Sequence, residues 1–265
     1  MTFVEANGGR FRVQVDGAED APCLVLSNSL GATLDMWAPQ VEAFTQSYRL
    51  LRYDTRGHGG SFVTKGPYDM ELLARDVLGL LDALQVQVAS FCGLSMGGAT
   101  GLWLAAHAPE RFERFVVCNT VPWLGPSQAM LERAAKVREA GLEPLVEPTL
   151  ERWFTPAFRR HDPQAVERVR AAFLATPVEG YAACCEALAG YDVRAELARI
   201  DRPLLVVAGR DDPAPPSTAV REYAGRIAGA QFVELDAAHL SNLGATQAFN
   251  ETVLRFLTTK NRARH

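Results

Sequence analysis

Residues 88–98 read Val-Ala-Ser-Phe-Cys-Gly-Leu-Ser-Met-Gly-Gly. The apolar run before Gly93 predicts a buried strand, and the breaker-poor run ATGLWLAAHA, stopped by Pro109, predicts a helix. Between them lies G-x-S-x-G, a turn so tight that the residues flanking Ser95 must carry almost no side-chain volume. This constrains the fold more than any other feature. It calls for a strand–turn–helix unit with a serine held at the carboxyl end of the strand.

The flanking chain fits such a unit. FRVQV alternates like a strand, and CLVLS reads as a fully buried strand that runs into the polar, glycine-containing turn NSLG. DMWAPQVEAF follows as a helix, YRLLRYD as a second buried strand, and YDMELLARDVLGLLDAL as a long amphipathic helix. FVVCNT is the next strand. Regular alternation of strand and helix implies an α/β fold with a mostly parallel sheet covered on both faces. From 122 to 195 no strand-like run occurs. SQAMLERAAKVREA, LVEPTLERWF, PQAVERVRAAFLA and VEGYAACCEALAGY all carry helical spacing. Strands return in PLLVVAGRDD and QFVELDAA, with helices across STAVREYAGRI and ATQAFNETVLRFLTT. The expected organisation is a core of 1–121 and 196–265 with a helical cap, 122–195, inserted between two strands. The last residues, KNRARH, read as a polar, frayed end.

A serine hydroxyl needs a base to act as a nucleophile, and the base needs an orienting acid. Of the five histidines, His107 falls on the helix after the turn, His161 in a surface stretch of the cap, and His265 at the end. His58 sits in a turn-like RGHGG. His239 follows the last strand, which favours it as base in a nucleophile–acid–base chain order. The acid should follow the preceding strand, where GRDD offers Asp211 and Asp212. Asp212, at the end of the short loop, is preferred, and Asp236 lies too close to His239 for the role. A tetrahedral oxyanion would need two N–H donors. The Met96 N–H, at the start of the helix after Ser95, and the Leu30 N–H, in the NSLG turn, are the candidates. Asn28 and Ser29 in the same turn admit two readings, substrate contact or hydrogen bonds that hold the loop.

The formal charge of −4 argues against a nucleic-acid or anionic-membrane partner. Cys23, Cys92, Cys118, Cys184 and Cys185 are odd in number and fit no zinc or redox spacing. No signal-like start and no apolar run of bilayer length occurs, so free thiols in a cytoplasmic protein are expected.

The segments LVLSNSLGATLDMW, LRYDTRGHGGS, GPYDMELLARDVLGLLDAL, FCGLSMGG, RWFTPAFR, ATPVEGYAACCEALAGYD and LDAAHLSN resemble the 3-oxoadipate enol-lactonases of the α/β-hydrolase superfamily, across nearly the full chain. SNSLG and DAAHLSN are the specific parts, since GLSMGG alone marks only the superfamily. The chain departs from the family pattern at Pro215-Pro216, Val121-Pro122-Trp123 and Gly244-Ala245-Thr246. The resemblance implies Ser95 as nucleophile, Asp212 as acid, His239 as base and Leu30 and Met96 as oxyanion donors, with no metal or organic cofactor. It also implies a small lactone substrate bearing a carboxylate. An acidic chain then needs a local cation, and the cap offers Arg133, Lys136, Arg138 and Arg152, the last beside Trp153. Arg133 and Arg152 are the equal first candidates. Competing readings are an esterase or lactonase for another small ester, a carbon–carbon-bond hydrolase with the same triad, and a ligand-binding protein that has lost turnover. A dehalogenase would carry aspartate at position 95.

Overall fold

The computed structural model describes residues 2–259. An eight-stranded sheet is built from β1 (Thr2–Ala6), β2 (Gly9–Asp16), β3 (Cys23–Ser27), β4 (Arg49–Tyr53), β5 (Ala89–Leu94), β6 (Phe112–Cys118), β7 (Leu204–Gly209) and β8 (Gln231–Leu235). Its order is β1-β2-β4-β3-β5-β6-β7-β8. Pairing is parallel from β4 through β8, and β1 and β2 are antiparallel additions at one edge. Every residue of β3, β5 and β7 is buried. That is why these strands read as unbroken apolar runs: helices cover both sides of a parallel sheet.

The helices of the core are α1 (Ala38–Phe44), α2 (Met70–Ala83) and α3 (Met96–His107) before the cap. The cap holds α4 (Gln128–Ala140), α5 (Val146–Trp153), α6 (Pro156–His161), α7 (Pro163–Leu174) and α8 (Val178–Ala189). After β7 come α9 (Ser217–Ala224), α10 (Ser241–Gly244) and α11 (Thr246–Thr258). This is the α/β arrangement expected, with the helical insertion between β6 and β7. Three elements were not anticipated. β1 pairs with β2 through a hairpin in which Asn7 and Gly8 both take positive φ. α6 and α10 are too short to show a helical period. The tail from Lys260, including His265, lies outside the described residues.

The cap is tied to itself and to the core by specific contacts. Arg138 of α4 reaches Glu179 and Glu186 of α8 at 2.9 and 2.5 Å. At the end of α5, the carbonyls of Arg152 and Trp153 accept the N–H groups of His239 and Leu240 at 3.4 and 3.2 Å. Thus the cap grips the loop after β8. Among the described residues no helix is long and apolar enough to cross a membrane, and no cluster of three metal-ligating side chains occurs.

Candidate active site

The site lies where the parallel strands end. β5 runs into α3 through Ser95, whose φ of 57° and ψ of −113° lie outside the regions ordinary residues prefer. The glycines explain how the turn closes. A Cβ on Gly93 would stand 2.2 Å from the Gly97 carbonyl oxygen, and one on Gly97 would stand 2.2 Å from that of Ser27. The Ser95 N–H is held by the Cys118 carbonyl at 2.8 Å, so β6 fixes the turn from beside it.

His239 is buried after β8. Its Nδ1 lies 2.7 Å from Asp212 Oδ2, and both side chains are shielded from solvent. Asp212 Oδ1 accepts the Ala214 N–H at 3.0 Å. Asp211, by contrast, points to solvent, and Asp236 is exposed and pairs with Arg210. The His239 Nε2 is buried and makes no hydrogen bond among the described residues. It faces the cavity that Ser95 also lines. Burial holds the His239 imidazole below its usual basicity, Asp212 opposes that fall, and the Arg152 charge adds to it. The ring is therefore neutral near pH 7, and an Nδ1–H donated to Asp212 leaves Nε2 as an acceptor aimed at the cavity.

This cavity encloses about 40 Å³ and is lined by Leu30 and Met96 on the core side and by Met130, Arg133 and Arg152 of the cap. The Leu30 and Met96 N–H groups form no hydrogen bond among the described residues, so both are free to donate. The turn that carries Leu30 is held from outside: the next residue, Gly31, donates its N–H to His58 Nε2 at 2.9 Å. His58 is fully buried, and burial lowers its pKa from 6.5 to about 4. It is thus a neutral structural acceptor, in accord with its turn-like setting in the sequence.

Other candidates separate cleanly. Asn28 is wholly buried and spends its amide on the loop, donating to the Tyr53 carbonyl at 2.7 Å and accepting from Trp37 Nε1 at 3.0 Å. Ser29 is buried beside it, does not line the cavity, and its hydroxyl has no hydrogen-bond partner among the described residues. The Asn28 amide thus helps to hold the loop, whereas the Ser29 hydroxyl makes no such bond. Trp153 does not line the cavity either. It packs edge-on to Phe173, ring centroids 5.8 Å apart, inside the cap. Lys136 is exposed and Arg138 is committed to two glutamates. Arg133 and Arg152 remain. Among the described residues neither forms an ion pair and Arg152 Nε is buried without a hydrogen bond, and burial followed by the Arg133 charge lowers the Arg152 pKa. Two guanidinium groups thus line one small cavity beside Ser95 and His239. A larger groove of about 350 Å³, lined by Pro39, Val169 and Leu243 among others, holds neither Ser95 nor His239. Residues that the sequence reading passed over are Asn119, which lines the cavity, and Ser241, which donates to it at 2.6 Å. The signal was present in CNT and AHLSN, but as spacing without partners.

Fold and site together define an α/β-hydrolase, and residues 22–246 match the family model of that fold. The 3-oxoadipate enol-lactonase 2 of Acinetobacter baylyi is 46% identical over 237 residues, 89% of each chain. The crystal structure of the enol-lactonase from Burkholderia xenovorans LB400 superposes with a TM-score of 0.95 at 46% identity, covering 97% of this chain and 100% of that one. A hydrolase from Pseudomonas aeruginosa PA01 does so with a TM-score of 0.94 at 46% identity, over 97% and 98%. The chain belongs to the 3-oxoadipate enol-lactonase family.

Proposed function

We propose that this protein hydrolyses 3-oxoadipate enol-lactone to 3-oxoadipate, with Ser95 as nucleophile, His239 as general base, Asp212 as its orienting acid, and the Leu30 and Met96 N–H groups as the oxyanion hole. Residues 122–195 act as the cap that closes the site. The observation that supports the substrate class is that Arg133 and Arg152 line the same small cavity as Ser95 and His239, outside any side-chain ion pair among the described residues. A neutral ester would leave that charge uncompensated. A lactone with a carboxylate arm supplies the anion, and a guanidinium fork suits it.

Catalysis then runs as acyl transfer. His239 Nε2 takes the Ser95 proton as Oγ adds to the lactone carbonyl, and the two N–H groups stabilise the oxyanion. Collapse breaks the ring C–O bond as the His239 imidazolium gives its proton to the leaving oxygen, leaving the acyl group on Ser95 and an enol that tautomerises to a ketone. Water deprotonated by His239 attacks the ester and frees the carboxylate. Asp212 stabilises the imidazolium each time it forms and does not take the proton. We also place the protein in the cytoplasm, a reading supported by five unpaired, buried cysteines.

The test is turnover of freshly generated enol-lactone against simple aryl esters. Ser95→Ala and His239→Ala should each lower kcat by about 10⁴-fold or more, with circular dichroism unchanged. Asp212→Asn should cost far more than Asp211→Asn. Preference for aryl esters would overturn the substrate, and near-normal rates in folded Ser95→Ala protein would overturn the mechanism.

A further inference from the structure

Asn119 stands at the end of β6 with a φ of 50°, in the left-handed region that asparagine enters more readily than most residues. Its N–H donates to the Val207 carbonyl of β7 at 2.8 Å, and the residue is buried. Its side-chain amide is fully engaged. Nδ2 donates to Asp212 Oδ2 at 2.9 Å and, more weakly, to the Ala238 carbonyl at 3.4 Å. Oδ1 accepts the Ser241 hydroxyl at 2.6 Å. The orientation of the amide follows from chemistry, because an ionised carboxylate only accepts. Nitrogen must face Asp212, and oxygen must face Ser241. One amide therefore joins the loop after β7, which carries the acid, to the loop after β8, which carries the base.

The consequence is electronic as well as geometric. Asp212 Oδ2 is shared by two donors, His239 Nδ1 at 2.7 Å and Asn119 Nδ2 at 2.9 Å. A donor on a carboxylate oxygen draws off charge that would otherwise hold the proton on the imidazole. An aspartate at 119 would do the opposite and set a second carboxylate beside the first. Ser241 strengthens the effect, since a donor on the amide oxygen polarises its N–H groups.

We propose that Asn119, itself held by Ser241, is a positioning residue that fixes Asp212 under His239 and keeps His239 a weaker base than Asp212 alone would make it. This rests on the assignment of Asp212 and His239 given above. The other charged or polar side chains that line the cavity with His239 are Arg152 of α5, Arg133 of α4, Ser95 of the β5–α3 turn and Thr120 after β6. None of these touches Asn119 through a hydrogen bond, so replacing Asn119 leaves their contacts in place.

The experiment compares Asn119→Ala, Asn119→Asp and Ser241→Ala with the unaltered enzyme. Two readouts are taken: the pH profile of kcat/KM, and the His239 imidazole titration followed by NMR in a Ser95→Ala background. Asn119→Ala should move the acidic limb and the imidazole titration upward together, by about 1 pH unit, with kcat reduced and KM nearly unchanged. Asn119→Asp should move both further in the same direction, and Ser241→Ala less far. Ser241→Ala leaves the β6 backbone untouched, so it still reports if Asn119→Ala does not fold. Folded Asn119→Ala and Ser241→Ala proteins whose limb and titration stay put would reduce Asn119 to a strand-end cap and overturn the inference. Asp212→Asn and His239→Ala are carried in the same series. If those two are inactive while the Asn119 variants are normal, only this inference fails. If those two remain active, the acid–base assignment fails and the inference with it.

Discussion

At the scale of single residues, the site combines side chains that its chemistry could name with others that only their neighbours define. Serine at a glycine elbow, aspartate after a strand and histidine after the last strand follow from residue type and chain order. Arg133 and Arg152 do not, because a cap helix carries many cations and most face water. What separates them from Arg138 is that, among the described residues, neither forms a salt bridge with a carboxylate. This gives a sharp expectation. Replacing either with methionine should weaken kcat/KM for the carboxylate-bearing lactone by roughly 10- to 150-fold, equivalent to about 1.5–3 kcal/mol for a hydrogen bond to a charged group. An uncharged lactone should lose little. Equal losses on both substrates would mean that the arginines shape the cavity and do not bind the anion. Asn28 teaches the converse: a polar residue in the turn after β3 admitted a substrate contact, yet its amide bonds to the Tyr53 carbonyl and Trp37 Nε1.

At the scale of elements, legibility followed length and burial. The five central strands and the long helices α2, α3, α4, α7 and α8 announce themselves by period or by unbroken apolar runs. α6 and α10, of six and four residues, hold too few turns to build a period, and β1 depends on its partner β2 for pairing. The cysteines sit on the buried faces of these same elements: Cys23 on β3, Cys92 on β5, Cys118 on β6, and Cys184 and Cys185 on α8. Thiol titration of unreduced, denatured protein should therefore find five free groups, while the native fold protects them. A reproducible disulfide would contradict both the packing and the cytoplasmic assignment. Burial raises the Cys185 thiol pKa to about 12, which adds to the inertness expected of it at neutral pH.

For the whole molecule, the buried histidines couple stability to pH. Folded His58 stays neutral down to about pH 4, whereas in the unfolded chain it protonates near 6.5. Between those values the unfolded state binds more protons, so stability falls as the pH drops. The contribution lost across that window is about 3 kcal/mol. His239 contributes with the same sign, since burial also lowers it. His58→Gln keeps an acceptor for the Gly31 N–H without a titrating group. Chemical denaturation of the two proteins from pH 7 to 4 should show a shallower fall for His58→Gln. Identical slopes would show that His58 does not stay neutral in the folded protein.

The sequence by itself determined the sheet-and-helix architecture, the inserted cap, the order of Ser95, Asp212 and His239, and the family to which the chain belongs. These are legible because they are local: side-chain volume at a turn, apolar period along an element, and residue type at a strand end. Only the tertiary structure decided which polar groups near the site were already satisfied and which were free. Asn119, Asp212, His239 and Ser241 come from the ends of three different strands, and Arg133 and Arg152 meet across two cap helices. Hydrogen-bond partnership and the pairing of charges depend on distance in space, and no spacing along the chain encodes that before the strands and the cap are packed.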